Sequence, residues 1–191
     1  MNSLLQDSAR AIINLLDERT VRYARVGGFA VSMRTVERMT KDIDFAVAID
    51  NDDQAESLIK ELLGIGYEID TVLENTKAKR LATMRLKAVN SGVIIDFIFA
   101  SCGIENEVVQ KATEEEVFPG LLVKVATIAC LIAMKLVSAN DSTRIQDIID
   151  LRNLKQEATE IDLAEVKKLV ALITSRGFNQ DKDLQQIFSK I

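Results

Sequence analysis

The chain has 191 residues, with 29 Asp plus Glu against 24 Lys plus Arg, a formal charge of −5, and no histidine or tryptophan. About half of it is apolar, enough for one domain or for an α/β unit with a helical extension. Without histidine there is no Ser-His-Asp or Cys-His pair, no imidazole base and no His-ligated zinc. Chemistry falls to carboxylates, lysines, hydroxyls, backbone amides or a bound metal.

Met1 to Arg10 mixes Gln, Asp and Arg and lacks the apolar centre of a secretory leader. Leu5, Ala9, Ile12, Ile13 and Leu16 then fall at helical spacing. Tyr23 to Val26 reads as a short strand running into Gly27-Gly28, with a short helix over Phe29 to Met33 behind it. Asp42 to Ile49 alternates strictly and predicts a strand. The cluster Asp50-Asn51-Asp52-Asp53 lacks the spacing of a calcium loop and supplies N-caps for a helix over Gln54 to Leu63. Three strands follow, over Tyr67 to Leu73, Leu81 to Val89 and Val93 to Phe99, the last two joined by the turn Asn90-Ser91-Gly92. Glu114 to Phe118 reads as a short last strand before Pro119-Gly120.

From Val125 onward the pattern is helical, near 125–138, 143–155, 162–175 and 181–190. The expected fold is therefore α/β (α+β): a mixed sheet flanked by helices over 1–118, with a helical C-terminal subdomain over 119–191 packed on it. Cys102 and Cys130 sit in apolar stretches and read as small core residues, a usage that fits a reducing cytoplasm. The longest apolar run, Val125 to Val137, is broken by Thr127 and Lys135 and falls short of a membrane span.

Asp42 and Asp44, two apart on one strand, leave the same face, while Ile43, Phe45, Val47 and Ile49 face the core. Alone, such a pair is most simply a wet strand end. Asp96 stands in Val93-Ile94-Ile95-Asp96-Phe97-Ile98-Phe99, a run apolar enough for the middle of a sheet. An unpaired carboxylate there costs several kcal/mol. Either a divalent ion shared with Asp42 and Asp44 compensates it, or an Arg or Lys partner or backbone amides do. Gly27-Gly28, between strand and helix, would let a phosphate approach backbone N–H groups, although Gly-Gly alone marks only a tight turn.

The order Val26-Gly27-Gly28, then Asp42-Ile43-Asp44-Phe45, then Ile95-Asp96-Phe97 resembles the DNA polymerase beta-like nucleotidyltransferase superfamily. Arg38-Met39-Thr40-Lys41-Asp42-Ile43-Asp44, with Lys135-Leu136, Ala139, Arg144, Asp147 and Asp150-Leu151, looks most like its abortive-infection (AbiEii-type) members. The resemblance spans about residues 21–155, and residues 160–191 add nothing to it.

It implies a nucleotidyltransferase using Mg2+ or Mn2+ held by Asp42, Asp44 and Asp96, the last also favouring deprotonation of the acceptor. Gly27 and Gly28 would hold the phosphates of a nucleoside triphosphate, and Lys135 would reach them. The second glycine position is often serine in the superfamily; Gly28 removes that hydroxyl. Implied partners are the triphosphate, a hydroxyl acceptor (tRNA or other RNA, a protein or a small molecule such as an aminoglycoside or lincosamide) and a cognate antitoxin, with no membrane. The alternative is a catalytically inactive nucleotide sensor or interaction module of the same fold.

Lys135 lies on an apolar helical stripe with Ile128, Leu131, Ile132 and Leu136, where snorkelling explains it equally well. Asp147 and Asp150 are one turn apart; Asp150 reads as a structural partner of Lys135 or Arg144, and Asp147 as that or a site residue. Arg38, Thr40 and Lys41 would order a loop over the nucleotide, contact phosphate or simply be solvated. The basic strip Lys77, Lys79, Arg80, Arg85 and Lys87 reads chiefly as a solvated outer face, with a nucleic-acid acceptor as the other use.

Overall fold

The computed structural model describes residues 3–37, 39–118, 120–139 and 144–191. Helix α1 (Ser3–Glu18) leads into β1 (Tyr23–Arg25), α2 (Gly27–Arg34), β2 (Asp42–Val47) and α3 (Asp52–Gly64). Then come β3 (Tyr67–Asn75), β4 (Arg80–Ala88), β5 (Ile94–Ile98), α4 (Glu105–Lys111), β6 (Thr113–Phe118) and β7 (Leu121–Val125). The chain finishes with α5 (Ile128–Ser138), α6 (Ile145–Glu157), α7 (Glu160–Ser175) and α8 (Leu184–Lys190). Among the described residues, no helix is long and apolar enough to cross a membrane.

The seven strands form one mixed sheet in the order β3-β4-β5-β2-β1-β7-β6. β2 runs parallel to β5, and β1 parallel to β7; the remaining pairs are antiparallel. Alternation along β2 decides what each face does. Ile43, Phe45 and Val47 are fully buried under α1 and α3, against Ile12, Ile13, Leu16, Ile59 and Leu62. Phe45 stacks on Phe97 at 5.8 Å and takes the edge of Tyr23 at 5.5 Å.

The opposite face buries Ala24, Ala46 and Ala48, small residues that let α2, α4 and α5 pack close; α6, α7 and α8 extend this second core. Helix boundaries follow local chemistry. Asn51 caps α3 through Gln54 N, and Thr159 with Asp162 makes a capping box on α7. Asp52, in the first turn of α3, ties that helix to β4 by an ion pair with Arg80 at 2.6 Å and by accepting from Leu81 N at 2.9 Å.

Two elements depart from the sequence reading. The short helix α4 stands where no periodicity is visible. Residues 121–125 form strand β7, with Leu121, Val123 and Val125 turned inward. β7 pairs with both β6 and β1, so a division at 118/119 falls between two paired strands, and the sheet extends to Val125. The uninterrupted helical stretch begins at Ile128.

Candidate active site

The second face of the sheet is covered by helices only along part of its length, and the uncovered part forms a cleft of about 890 Å³. That volume lies within the range of small-molecule and cofactor pockets. Asp44 and Asp96 are direct register partners on the parallel strands β2 and β5, and Asp42 pairs with Ile94 on the same edge. All three aspartates line the cleft.

Above them sits the turn into α2. Gly27 has φ +65, and a Cβ placed on it would run into the carboxyl group of Asp44. The turn therefore approaches Asp44 as closely as it does only because residue 27 has no side chain. Val26 N donates to Asp44 O at 3.0 Å and locks the turn to β2. Gly28 also lines the cleft. A Gly27→Ala chain should lose about 2–3 kcal/mol, because left-handed backbone and steric overlap add. In an Asp44→Ala background the same substitution should cost measurably less, the coupling being read by a double-mutant cycle in urea.

Asp44 is the electrostatic centre. Burial at the cleft floor pushes its carboxyl up from the ordinary 3.8 to about 6, the negative charge of Asp96 adds to this, and Arg25 and Lys135 oppose it. Arg25 lies beneath, 4% exposed, with its guanidinium over the rings of Phe29 and Phe45 at 4.6 and 5.0 Å. Its Nε has no hydrogen-bond partner among the described residues, and burial lowers its pKa to about 10.

Arg85, on β4, stands opposite Asp96 in the antiparallel register. Its Nε and Nη2 donate to the two carboxylate oxygens of Asp96 at 2.8 and 2.7 Å, and Nη2 lies 3.7 Å from Asp42 Oδ2. This fork holds the guanidinium pKa well above its usual value. The reading of Arg85 as part of a solvated outer face is thus corrected: alternation puts Thr83, Arg85 and Lys87 on the cleft face, and the register brings Arg85 to Asp96. Of the rest of the strip, Lys79 is exposed at the β3–β4 turn and the other three have acidic partners. Lys77 pairs with Asp181, Arg80 with Asp52 and Lys87 with Glu68.

Lys135, on α5, points into the cleft and joins Asp147 Oδ1 at 2.5 Å and Asp150 Oδ2 at 2.8 Å, both on α6. Ser138 Oγ donates to Asp147 Oδ2 at 3.0 Å. Lys41 lines the mouth, beside Met39 and Thr40. Arg38 lies outside the described residues. Among the described residues, no three acidic or cysteine side chains are gathered so as to enclose one ion, Asp96 being turned to Arg85.

One part of the wall had no signal in the sequence. Gln180 and Lys182, in the loop before α8, line the cleft. Lys182 Nζ donates to Val137 O at 2.5 Å and Ala139 O at 3.0 Å, and burial lowers its pKa. Asp181 beside it takes Lys77 from the β3–β4 turn at 2.8 Å.

The family model for the nucleotidyl transferase AbiEii toxin of type IV toxin–antitoxin systems matches residues 26–189. The chain belongs to this family. As an AbiEii-family member it is a nucleotidyltransferase, an enzyme whose donor substrates are nucleoside triphosphates. The AbiEii match runs well past residue 155, where the motifs stop being legible, and takes in the loop carrying Lys182.

No curated protein matches the chain. Three solved structures share the AbiEii-family member's fold. ANT(2″)-Ia with adenylyl-2″-tobramycin is 16% identical, with a TM-score of 0.59 over 92% of this chain and 99% of that one. Lincomycin-bound LnuA, a lincosamide antibiotic adenylyltransferase, is 17% identical, with a TM-score of 0.53 over 80% and 97%. An antigenic nucleotidyltransferase-like protein from Paracoccidioides brasiliensis is 17% identical, with a TM-score of 0.53 over 95% and 92%.

Proposed function

We propose that the chain transfers a nucleoside monophosphate from a triphosphate to a hydroxyl acceptor in the cleft, with a divalent cation, Mg2+ or Mn2+, as cofactor. The observation that carries this is the pairing of Asp44 with Asp96 on adjacent parallel strands, under a glycine turn that closes on Asp44. Asp42 and Asp44 leave one strand on one face, half-buried and acidic, and fit a hard cation with oxygen ligands. When bound, the ion neutralises charge on the phosphates and on the entering oxygen.

The chain's own groups do the rest. The turn at Gly27-Gly28 and the start of α2 present backbone to the phosphates. Lys135, held by Asp147 and Asp150, supplies a positive charge fixed in direction. Lys41, which lines the cleft, adds a further positive charge for the phosphates. Arg25 opposes protonation of Asp44 from below. The acceptor oxygen bonds to the α-phosphorus as the bond to the β-bridging oxygen breaks; pyrophosphate leaves and the hydroxyl proton is released.

The acceptor is RNA, a protein or a small molecule. The family's place in type IV toxin–antitoxin systems supports a toxin with a cognate antitoxin, and two buried free cysteines fit a reducing cytoplasm. The test is incubation with each α-labelled triphosphate, Mg2+ and total lysate, followed by separation of RNA, protein and small molecules. Label should enter one fraction, and Asp42→Asn and Asp44→Asn should abolish it. Transfer that survives both substitutions refutes the assignment. Binding without turnover in every fraction would indicate a nucleotide sensor instead.

A further inference from the structure

Asp96 is the third carboxylate of the array, and both of its oxygens accept from one arginine. The Arg85 fork uses Nε and Nη2 at 2.8 and 2.7 Å, in a pair whose Asp96 side chain is only 10% exposed. Bidentate arginine–carboxylate pairs are among the strongest charge-assisted contacts, and arginine does not release its proton at any working pH. A metal ion on the remaining lone pairs of Asp96 would sit against this fixed positive charge, which also lies beside Asp42, its only other anionic neighbour within ion-pair distance among the described residues. The three carboxylates and Arg85 by themselves leave two negative charges, and Arg25 beneath Asp44 offsets part of them, so the array balances one divalent ion on Asp42 and Asp44 and not two. Arg85 also has a donor to spare: Nη1 has no acceptor among the described residues, and the side chain is 40% exposed on the cleft face.

We propose that Arg85, clamped on Asp96, stands in for a second metal ion, so that this site loads one divalent cation and presents Nη1 to the anionic oxygens of the substrate. The inference rests on the proposed metal-dependent transfer and assigns Asp96 a positioning role within it. Asp96 aims the guanidinium, and the remaining donor is the part that meets substrate, as fixed cations do in phosphoryl transfer.

The experiment counts ions. Mn2+ is titrated into the full chain in the presence of α,β-methylene ATP or α,β-methylene GTP, and bound Mn2+ is read by electron paramagnetic resonance. The chain should saturate at one ion. Arg85→Ala frees Asp96 and should gain a second, weaker one, while Arg85→Lys should stay at one. Arg85→Ala combined with Asp96→Asn should return to one. Two ions on the unmodified chain overturn the proposal even if no variant folds, and so does an Arg85→Ala chain that folds and still binds one. If the unmodified chain binds no Mn2+ with either analogue, the metal-dependent reading of the cleft fails along with it; two ions would leave that reading intact.

Discussion

Replacing Lys135 by methionine should destabilise the fold by about 3–5 kcal/mol, the scale for breaking a buried ion pair from one side. Lys135 holds two carboxylates, Asp147 and Asp150, that lie one helical turn apart on α6, and Asp150 is fully buried. Methionine fills nearly the same volume, so packing of α5 against α6 survives while the charge balance does not. The surviving like charges then repel in a medium that solvates them poorly. Gln146 Nε2 still donates to Asp150 and Ser138 Oγ to Asp147, and the exposed Arg144 stays 3.7 Å from Asp147, but none of these replaces the buried ammonium shared by both carboxylates. Urea melts should show a lower midpoint with an unchanged slope. Adding Asp147→Asn and Asp150→Leu should recover most of the loss, because removing the whole triad removes the uncompensated charge. A Lys135→Met chain within about 1 kcal/mol of the parent would mean the triad is not what joins these helices. The practical corollary is that loss of activity in Lys135 variants reports on substrate only after folding has been checked.

Asp44→Asn should act in the opposite direction on stability while abolishing transfer. The folded chain binds the Asp44 proton more tightly than the unfolded one, with a pKa of about 6 against 3.8. Where the folded state holds more protons, stability falls as pH rises, here through the window from about 4 to 6. Above that window the ionised carboxylate is a standing cost, shared with Asp96. Asparagine removes it, and at pH 7.5 without metal the melting temperature should rise by roughly 3–6 °C, for about 1–2 kcal/mol in a chain of this size. The gain should vanish at pH 4, where the parent is protonated too. Divalent ions should stabilise the parent and not the variant, and the parent's affinity for Mn2+ should drop by about tenfold per pH unit below 6. A variant that melts below the parent at neutral pH would show Asp44 to be a structural residue.

What the sequence discloses here depends on whether the signal is local. β2 and β5 are legible because alternation and a carboxylate among apolar neighbours are properties of a few adjacent residues. β7 escapes because Leu121-Leu122-Val123-Lys124-Val125 runs straight into the apolar helix α5, and Pro119-Gly120 looks like a boundary when it separates two paired strands. α4 escapes because seven residues are too few to show a period, and its Glu105 carboxylate is spent on Ser101 N and Cys102 N rather than on a capping pattern. Arg85 could be assigned to a strand face from spacing alone, but its partner depends on the β4–β5 register, which no short-range pattern fixes. Lys182 is further out of reach: its acceptors are the carbonyls of Val137 and Ala139, more than forty residues back along the chain.

The strand β3 carries a consequence for how this enzyme can change. It is the edge of the sheet, bonded only to β4, and most of its residues are exposed, yet Thr71 and Leu73 form part of the cleft wall beyond Arg85. Both cores lie away from Thr71 and Leu73, one under α1 and α3 on the other side of the sheet and the other among α2 and α4 to α8. Selection for a new acceptor can therefore work on β3 with little penalty to stability, leaving the carboxylates and the buried aromatic stack untouched. Divergence among descendants of such a chain should accumulate there first.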